Sequence, residues 1–292
     1  MSNTNNPIKK CLFPAAGYGT RFLPATKATP KEMLPVLTKP LIQYGVEEAL
    51  AAGIENMSIV TGRGKRAIED HVDLSYELEH QIKGTSKEHY LTEIRSVITK
   101  CTFSYTRQIE MKGLGHAILC GENLIGNQPF AVLLADDLCD APDKGVLSQM
   151  VELYKKYNCS IVAIEEIPKE DTNKYGVIAG NEIEPGIFMV KDMVEKPEPE
   201  VAPSNLAIIG RYILTPDIFD IIRETKPGKG GEIQITDALL TQAKNGMVLA
   251  YKFKGERFDC GSIDGFVKAT NYFYDKSIKN EKKEEKKDNG KK

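Results

Sequence analysis

The run IKKCLFPAAGYGTR, residues 8–21, decides how the chain is read. Residues 8–14 form a strand pattern that feeds directly into a turn of small residues, AAGYG. Working outward, residues 41–52 (LIQYGVEEALAA) carry apolar side chains at helical spacing and stop at Gly53. Residues 57–61 and 102–107 read as strands, and 114–124 as a helix. Residues 129–135 (PFAVLLA) are a continuous apolar run, the pattern of a strand buried on both faces. A helix at 143–157 and a strand at 160–165 follow. This alternation predicts an α/β fold with a mixed, mostly parallel sheet flanked by helices. Shorter strands at 175–179, 186–194 and 206–214, broken by Gly and Pro, predict an inserted antiparallel β region at about 166–214. Helices at 216–224, 233–245 and 262–278 and a strand at 247–253 complete one domain over residues 8–278.

The 292 residues carry 39 Lys plus Arg against 41 Asp plus Glu, a net charge of -2. That balance argues against nucleic acid as a partner. No apolar run approaches the ~18 residues of a membrane helix, so no membrane association is expected. Residues 1–7 read as a flexible N-terminus without the apolar stretch of a secretory signal, which predicts a cytoplasmic protein. Six cysteines at 11, 101, 120, 139, 159 and 260 show no zinc spacing and are expected to be reduced. Residues 276–292 hold eight Lys, four acids and almost no apolar group. Residues 279–292 are therefore expected to form a disordered charged tail.

The chemistry starts in the Gly-rich turn. Small residues at Ala15, Ala16, Gly17 and Gly19 let a ligand approach the backbone, whose N–H groups can cradle phosphate oxygens. Arg21, Lys27 and Lys31 bring positive charge to the same loop. The pattern is neither a P-loop nor the G-x-G-x-x-G fingerprint. The full block AAGYGTRFLPATKATPKEMLP resembles the signature of sugar-1-phosphate nucleotidylyltransferases, and within them most closely the bacterial uridylyltransferases. The resemblance recurs at KGLGHAI (112–118), VEKP (194–197), SNLAIIGRY (204–212), GGEIQITDAL (230–239) and FDCGS (258–262).

The resemblance implies a Rossmann-like sheet and transfer of a uridylyl group from UTP to glucose 1-phosphate, giving UDP-glucose and pyrophosphate. Thymidylyl or adenylyl transfer on the same fold is the alternative, and a non-catalytic sugar-nucleotide regulator a more distant one. It further implies Mg²⁺ as cofactor and an oligomer of identical chains. Backbone at Ala15, Ala16 and Gly17 would hold the nucleotide, with Arg21 and Lys31 as the catalytic cations. Glu32 would sit near the base or sugar, and Gln108 and Gly113 would read the pyrimidine edge. Gly176, Glu195, Lys196 and Glu232 would bind the sugar phosphate. Glu195 and Lys196, before Pro197, are expected to be extended and to point to opposite sides. Asp136 and Asp259 would bind the metal. Asp137 lies beside Asp136, and the LLxD spacing selects Asp136. His116 is given no catalytic role. The reaction needs no general base, because a phosphate monoester is already ionised near neutral pH. It needs cations and positioning instead.

Overall fold

The computed structural model describes residues 6–141 and 143–289, with 280–289 as helical backbone alone. In chain order the strands are β1 (Lys10–Pro14), β2 (Pro35–Val36), β3 (Lys39–Pro40), β4 (Asn56–Thr61), β5 (Thr102–Arg107), β6 (Phe130–Leu133), β7 (Asp137–Asp140), β8 (Ser160–Glu166), β9 (Gly176–Glu184), β10 (Ile187–Glu195), β11 (Leu206–Leu214), β12 (Val248–Lys252) and β13 (Glu256–Asp259). The α-helices are α1 (Leu41–Ala51), α2 (Arg66–Val72), α3 (Tyr76–Ile82), α4 (Thr92–Lys100), α5 (Leu114–Cys120), α6 (Glu122–Ile125), α7 (Val146–Tyr157), α8 (Ile218–Glu224), α9 (Ile235–Asn245) and α10 (Ile263–Asn289). Among the described residues, no helix is long and apolar enough to cross a membrane.

Among the described residues, nine strands make one sheet in the order β5-β4-β1-β6-β11-β8-β12-β10-β9. β1, β4, β5 and β6 are mutually parallel, and β8 pairs parallel with β12. β10 and β11 run the other way, so half of the neighbouring pairs are antiparallel. The inserted region expected at 166–214 is not a separate layer. β9 and β10 extend the edge of the sheet, while β11 lies at its centre between β6 and β8. Its nine residues LAIIGRYIL are almost all buried, as a central strand requires.

Strand alternation builds two cores, one on each face. Cys11, Phe13, Ala131 and Leu133 turn toward α1 and α7. Leu12, Phe130 and Val132 turn toward α5, α8 and α9. α1 offers Ile42, Val46 and Ala49 to its side, the i, i+4, i+7 stripe of a core-facing helix. α7 does the same with Val146, Leu147, Met150, Val151 and Tyr154. A smaller cluster of Val36, Leu138, Cys260 and Ala269 holds the β7–β13 hairpin against α10.

Two terminal expectations differ from the structure. Asn6 belongs to the segment expected to be flexible, yet it is buried and its amide donates to Ala52 O and Gly53 O; residues 1–5 lie outside the described residues. The charged segment continues α10 as far as Asn289, and residues 290–292 lie outside the description. Lys and Glu are good helix formers, so a helix started by packing at residue 263 can run on through them.

The largest fully buried side chain is Arg211 of β11. It donates to both carboxylate oxygens of Glu48 in α1, at 2.8–3.2 Å, and to Leu134 O and Gly210 O. Glu48 also accepts the Leu147 N–H at the start of α7. Glu48→Ala strips Arg211 of its counter-charge, and is expected to cost about 3–5 kcal/mol. Chemical denaturation should show that loss, and a smaller one when both residues are replaced by apolar side chains of similar volume.

Candidate active site

The carboxyl ends of β1, β4, β5 and β6 open on one side of the sheet, where α/β folds place their ligands. The turn after β1 is fixed before any ligand arrives. Ala15 donates its N–H to Val60 O at 2.8 Å, so it continues the strand and has no free donor. Ala15 was expected to hold nucleotide, but the adjoining pocket is lined by Pro14, Ala16 and Gly17 and not by Ala15. Gly19 has φ +67°, a conformation other residues rarely adopt, and Thr26 donates to its carbonyl at 2.7 Å.

Two pockets adjoin in this cleft. The first is lined by Ala16, Gly17, Gly19, Lys31, Gln108 and Gly113, among others. The second contains Arg21, Gly176, Glu195, Lys196 and Asp259. Leu114, Leu134, Asp136 and Glu232 line both. The structure thus brings together every expected site residue except Ala15 and Glu32. A larger cleft of about 940 Å³ lies elsewhere, near Asp140, Lys144, Tyr251 and Lys276, and contains none of them.

Asp136 occupies the junction. Lys31 donates to its Oδ2 at 2.6 Å. Burial alone would raise the pKa of Asp136, but the Lys31 ammonium overrides it and holds the carboxyl below its usual range. Burial likewise works against the charge on Lys31, and Asp136 and Glu32 together raise its pKa above the ordinary value. Both groups are therefore charged at neutral pH. Arg21 donates to Gly261 O at 2.9 Å. A Cβ built on Gly261 would lie 3.0 Å from Asp259 Oδ1, 3.1 Å from Asp136 Oδ2 and 3.1 Å from Arg21 Nη1. Two carboxylates and one guanidinium thus converge on a space that exists because residue 261 has no side chain. Asp259 is oriented by Tyr175, whose hydroxyl donates to Oδ2 at 3.0 Å, and by the Gly261 N–H on Oδ1.

The neighbouring Asp137 has a different task. Its Oδ2 accepts the Gly210 N–H at 2.6 Å and its Oδ1 accepts Arg257 Nε at 2.7 Å. Arg257 also donates to Glu165 and lies over the Tyr175 ring. Asp137 is 8% exposed and its oxygens are committed, so Asp136 is the carboxylate left to face the cleft.

Two expectations are corrected by this geometry. Glu32 does not face a ligand. It is 1% exposed and paired with the buried Lys65 at 2.7 Å, and burial raises its pKa despite Lys65 and Lys31. It sits in the single 3₁₀ turn Lys31–Met33, where successive side chains diverge by about a third of a turn. Lys31 takes the cleft side and Glu32 the inner side. Glu195 and Lys196 do not point apart. Lys196 has φ +48°, which breaks strand alternation, and Lys196 Nζ lies 3.4 Å from Glu195 Oε1 in the same pocket. Such a left-handed Lys costs on the order of 1–3 kcal/mol and clusters at functional sites.

Sequence reasoning missed Tyr175, Lys65 and the buried arginines. Arg211 and Arg257 carry a readable signal, because an Arg inside or beside apolar strand residues must find a buried counter-charge. Lys65 carries none, since GRGKR reads as an exposed basic turn.

Asp137→Ala should lower stability by about 3 kcal/mol or more, since it leaves Arg257 with one carboxylate and the Gly210 N–H with none. Asp136→Ala should leave the melting temperature nearly unchanged, because its partner Lys31 is partly exposed. A calorimetric scan of both variants separates the two roles.

The geometry can be set beside known proteins. The family model described as nucleotidyl transferase matches residues 12–276. A UTP–glucose-1-phosphate uridylyltransferase of Pseudomonas aeruginosa is 71% identical over 93% of this chain and 98% of its own. A crystal structure of apo UDP-glucose pyrophosphorylase is 67% identical with a TM-score of 0.90, covering 92% of this chain and 99% of that one. The same enzyme activity is named in a complex with UDP-glucose, 64% identical with a TM-score of 0.86 and the same coverage. Since the matched span runs from β1 into α10 and includes both pockets, the chain belongs to the nucleotidyl transferase family.

Proposed function

We propose that the protein transfers a uridylyl group from UTP to glucose 1-phosphate, releasing pyrophosphate and forming UDP-glucose. One observation carries the reading. Two pockets share Asp136, one bordered by the Gly-rich turn and Gln108, the other by Glu195 and Lys196. Two polyanions seated in such pockets would meet at the shared wall. The Pseudomonas relative, 71% identical over nearly all of its length, carries the same activity in its name.

In this reading UTP occupies the first pocket. The backbone of Ala16 and Gly17 faces its phosphates, Lys31 neutralises them, and Gln108 and Gly113 meet the base. Gly113 has φ +94°, and a Cβ there would lie 2.7 Å from Glu232 Cβ and 2.9 Å from Ile233 O, so only glycine fits. Glucose 1-phosphate occupies the second pocket. Gly176 admits the hexose, Glu195 and Glu232 accept from its hydroxyls, and Lys196 holds its phosphate. Glu195 is itself steadied by Thr236, which donates to Oε2 at 2.9 Å.

The sugar phosphate oxygen attacks the α-phosphorus of UTP. The bond from that phosphorus to the bridging oxygen breaks, and its electron pair leaves on pyrophosphate. Lys31, on the first pocket, and Arg21, which reaches the junction at Asp136 and Gly261 from the second, would offset the negative charge that accumulates on that group. The residues fit a hard divalent cation. Among the described residues no cluster of three or more metal-ligating side chains exists. Two converging carboxylates, completed by phosphate oxygens and water, are the donor set Mg²⁺ favours. Asp136 and Asp259 would hold it, and when bound it would offset charge on the phosphate oxygens.

A panel crossing four nucleoside triphosphates with several sugar 1-phosphates tests the reading. UTP with glucose 1-phosphate should release pyrophosphate fastest, and preference for another pair would overturn it. Lys196→Ala should mainly raise the KM for glucose 1-phosphate, by ~30–150-fold for a lost charged contact of about 2–3 kcal/mol. Arg21→Ala should instead lower kcat, because charge on the departing pyrophosphate grows in the transition state.

A further inference from the structure

Gln108 and His116 are joined by a hydrogen bond whose direction their surroundings decide. Gln108 Nε2 lies 3.2 Å from Gly113 O. A backbone carbonyl only accepts, so the amide nitrogen, and not the amide oxygen, must face it. The same Nε2 lies 2.9 Å from His116 Nδ1. With a donor in that place, Nδ1 accepts, and the ring proton sits on Nε2. Cys120 Sγ lies 3.9 Å from that Nε2, and Lys112 and Glu110 are the nearby charges. Burial, reinforced by Lys112, lowers the pKa of His116, which favours the neutral ring this bond requires. Both amide hydrogens of Gln108 are thereby engaged. Among the described residues no donor reaches Gln108 Oε1, and Gln108 lines the first pocket beside Gly17, Met111 and Gly113.

We infer that His116 sets the choice of nucleobase by locking the Gln108 amide with its carbonyl oxygen as the group offered to the base. The inference rests on the uridylyl reading above. A uracil ring presents N3–H as a donor, which a fixed acceptor matches. A cytosine ring presents N3 as an acceptor, which the same oxygen opposes. Without the His116 acceptor, one amide hydrogen of Gln108 is left unpaired. The amide then gains nothing from its present orientation beyond the longer bond to Gly113 O, and can turn its NH₂ toward cytosine. His116 touches no substrate in this account. It is a positioning residue that acts through Gln108, and KGLGHAI carries it three residues after the glycine that completes the same triangle.

The test is the ratio of kcat/KM for UTP to that for CTP, measured with glucose 1-phosphate in wild type, His116→Ala and His116→Asn. Asn carries an oxygen close to the position of Nδ1, so it can accept from Gln108. The ratio should fall roughly tenfold in His116→Ala, the scale of one neutral hydrogen bond. His116→Asn should restore most of it. A ratio is independent of how much enzyme is folded, so a destabilised variant still reports. Where turnover is too slow, the ratio of UTP to CTP dissociation constants reads the same quantity. An unchanged ratio in His116→Ala, or an equal fall in His116→Asn, overturns the inference while leaving the uridylyl reading intact. A wild-type enzyme with no preference for UTP over CTP overturns that reading and this inference together.

Discussion

The turn Leu134–Asp137, where β6 ends, is clamped from beneath by two buried guanidinium groups. Arg211 holds Leu134 O and Gly210 O while paired with Glu48. Arg257 holds Asp137 while paired with Glu165. A buried cation without a partner costs several kcal/mol, so each arginine fixes the groups around it to within hydrogen-bond tolerance. A Cβ on Gly210 would lie 2.7 Å from Asp137 Oδ2, so the approach of β11 to the turn also depends on a missing side chain. The consequence is that of two adjacent carboxylates, one is locked inward and the other is left facing the cleft.

Everything in the cleft is referred to the cleft-facing, half-buried Asp136. Lys31 reaches it from the loop after β1, Asp259 from the end of β13, and Arg21 from the Gly-rich turn. The inner layer is a second set of ion pairs. Lys65 and Glu32 sit back to back with the Lys31 side chain, so the loop carrying Lys31 is anchored by its next residue. Such networks, rather than the apolar cores alone, set the cleft's geometry, because a hydrogen-bonded charge has a narrower range of positions than a packed methyl group. In the proposed reaction, such a fixed site would favour charge developing on phosphate oxygens.

Much of this was legible in the sequence. The strand-then-glycine reading of residues 8–21 located the cleft, and the apolar run 129–135 located β6 and Asp136 at its end. The strands at 206–214 and 102–107 were readable from their apolar or alternating content, with bounds that match the structure. The place of β11 in the sheet was not, since period-2 patterns say which residues are strand but not which strands pair. The helices between residues 66 and 100 went unread. α3 buries none of its residues, and α2 and α4 are short helices marked only by Ile68 and Val72 and by Ile94, Val97 and Ile98. The inward turn of Glu32 was hidden because its partner Lys65 is 33 residues away. The shared pocket of Glu195 and Lys196 was hidden because a left-handed Lys leaves no compositional trace.

The central claim is that transfer takes place in the space bounded by Asp136, Asp259 and Arg21. Gly261→Ala probes it most directly, since the added methyl would occupy that space while removing no charge and no hydrogen-bonding group. The backbone there is not in the left-handed region that disfavours alanine. The measurement is kcat with saturating UTP, glucose 1-phosphate and divalent metal, alongside the melting temperature. The account predicts a fall of about 100-fold in kcat, the scale of a displacement near 1 Å at the reacting atoms, with melting shifted by little. Wild-type turnover in a correctly folded Gly261→Ala enzyme would contradict it.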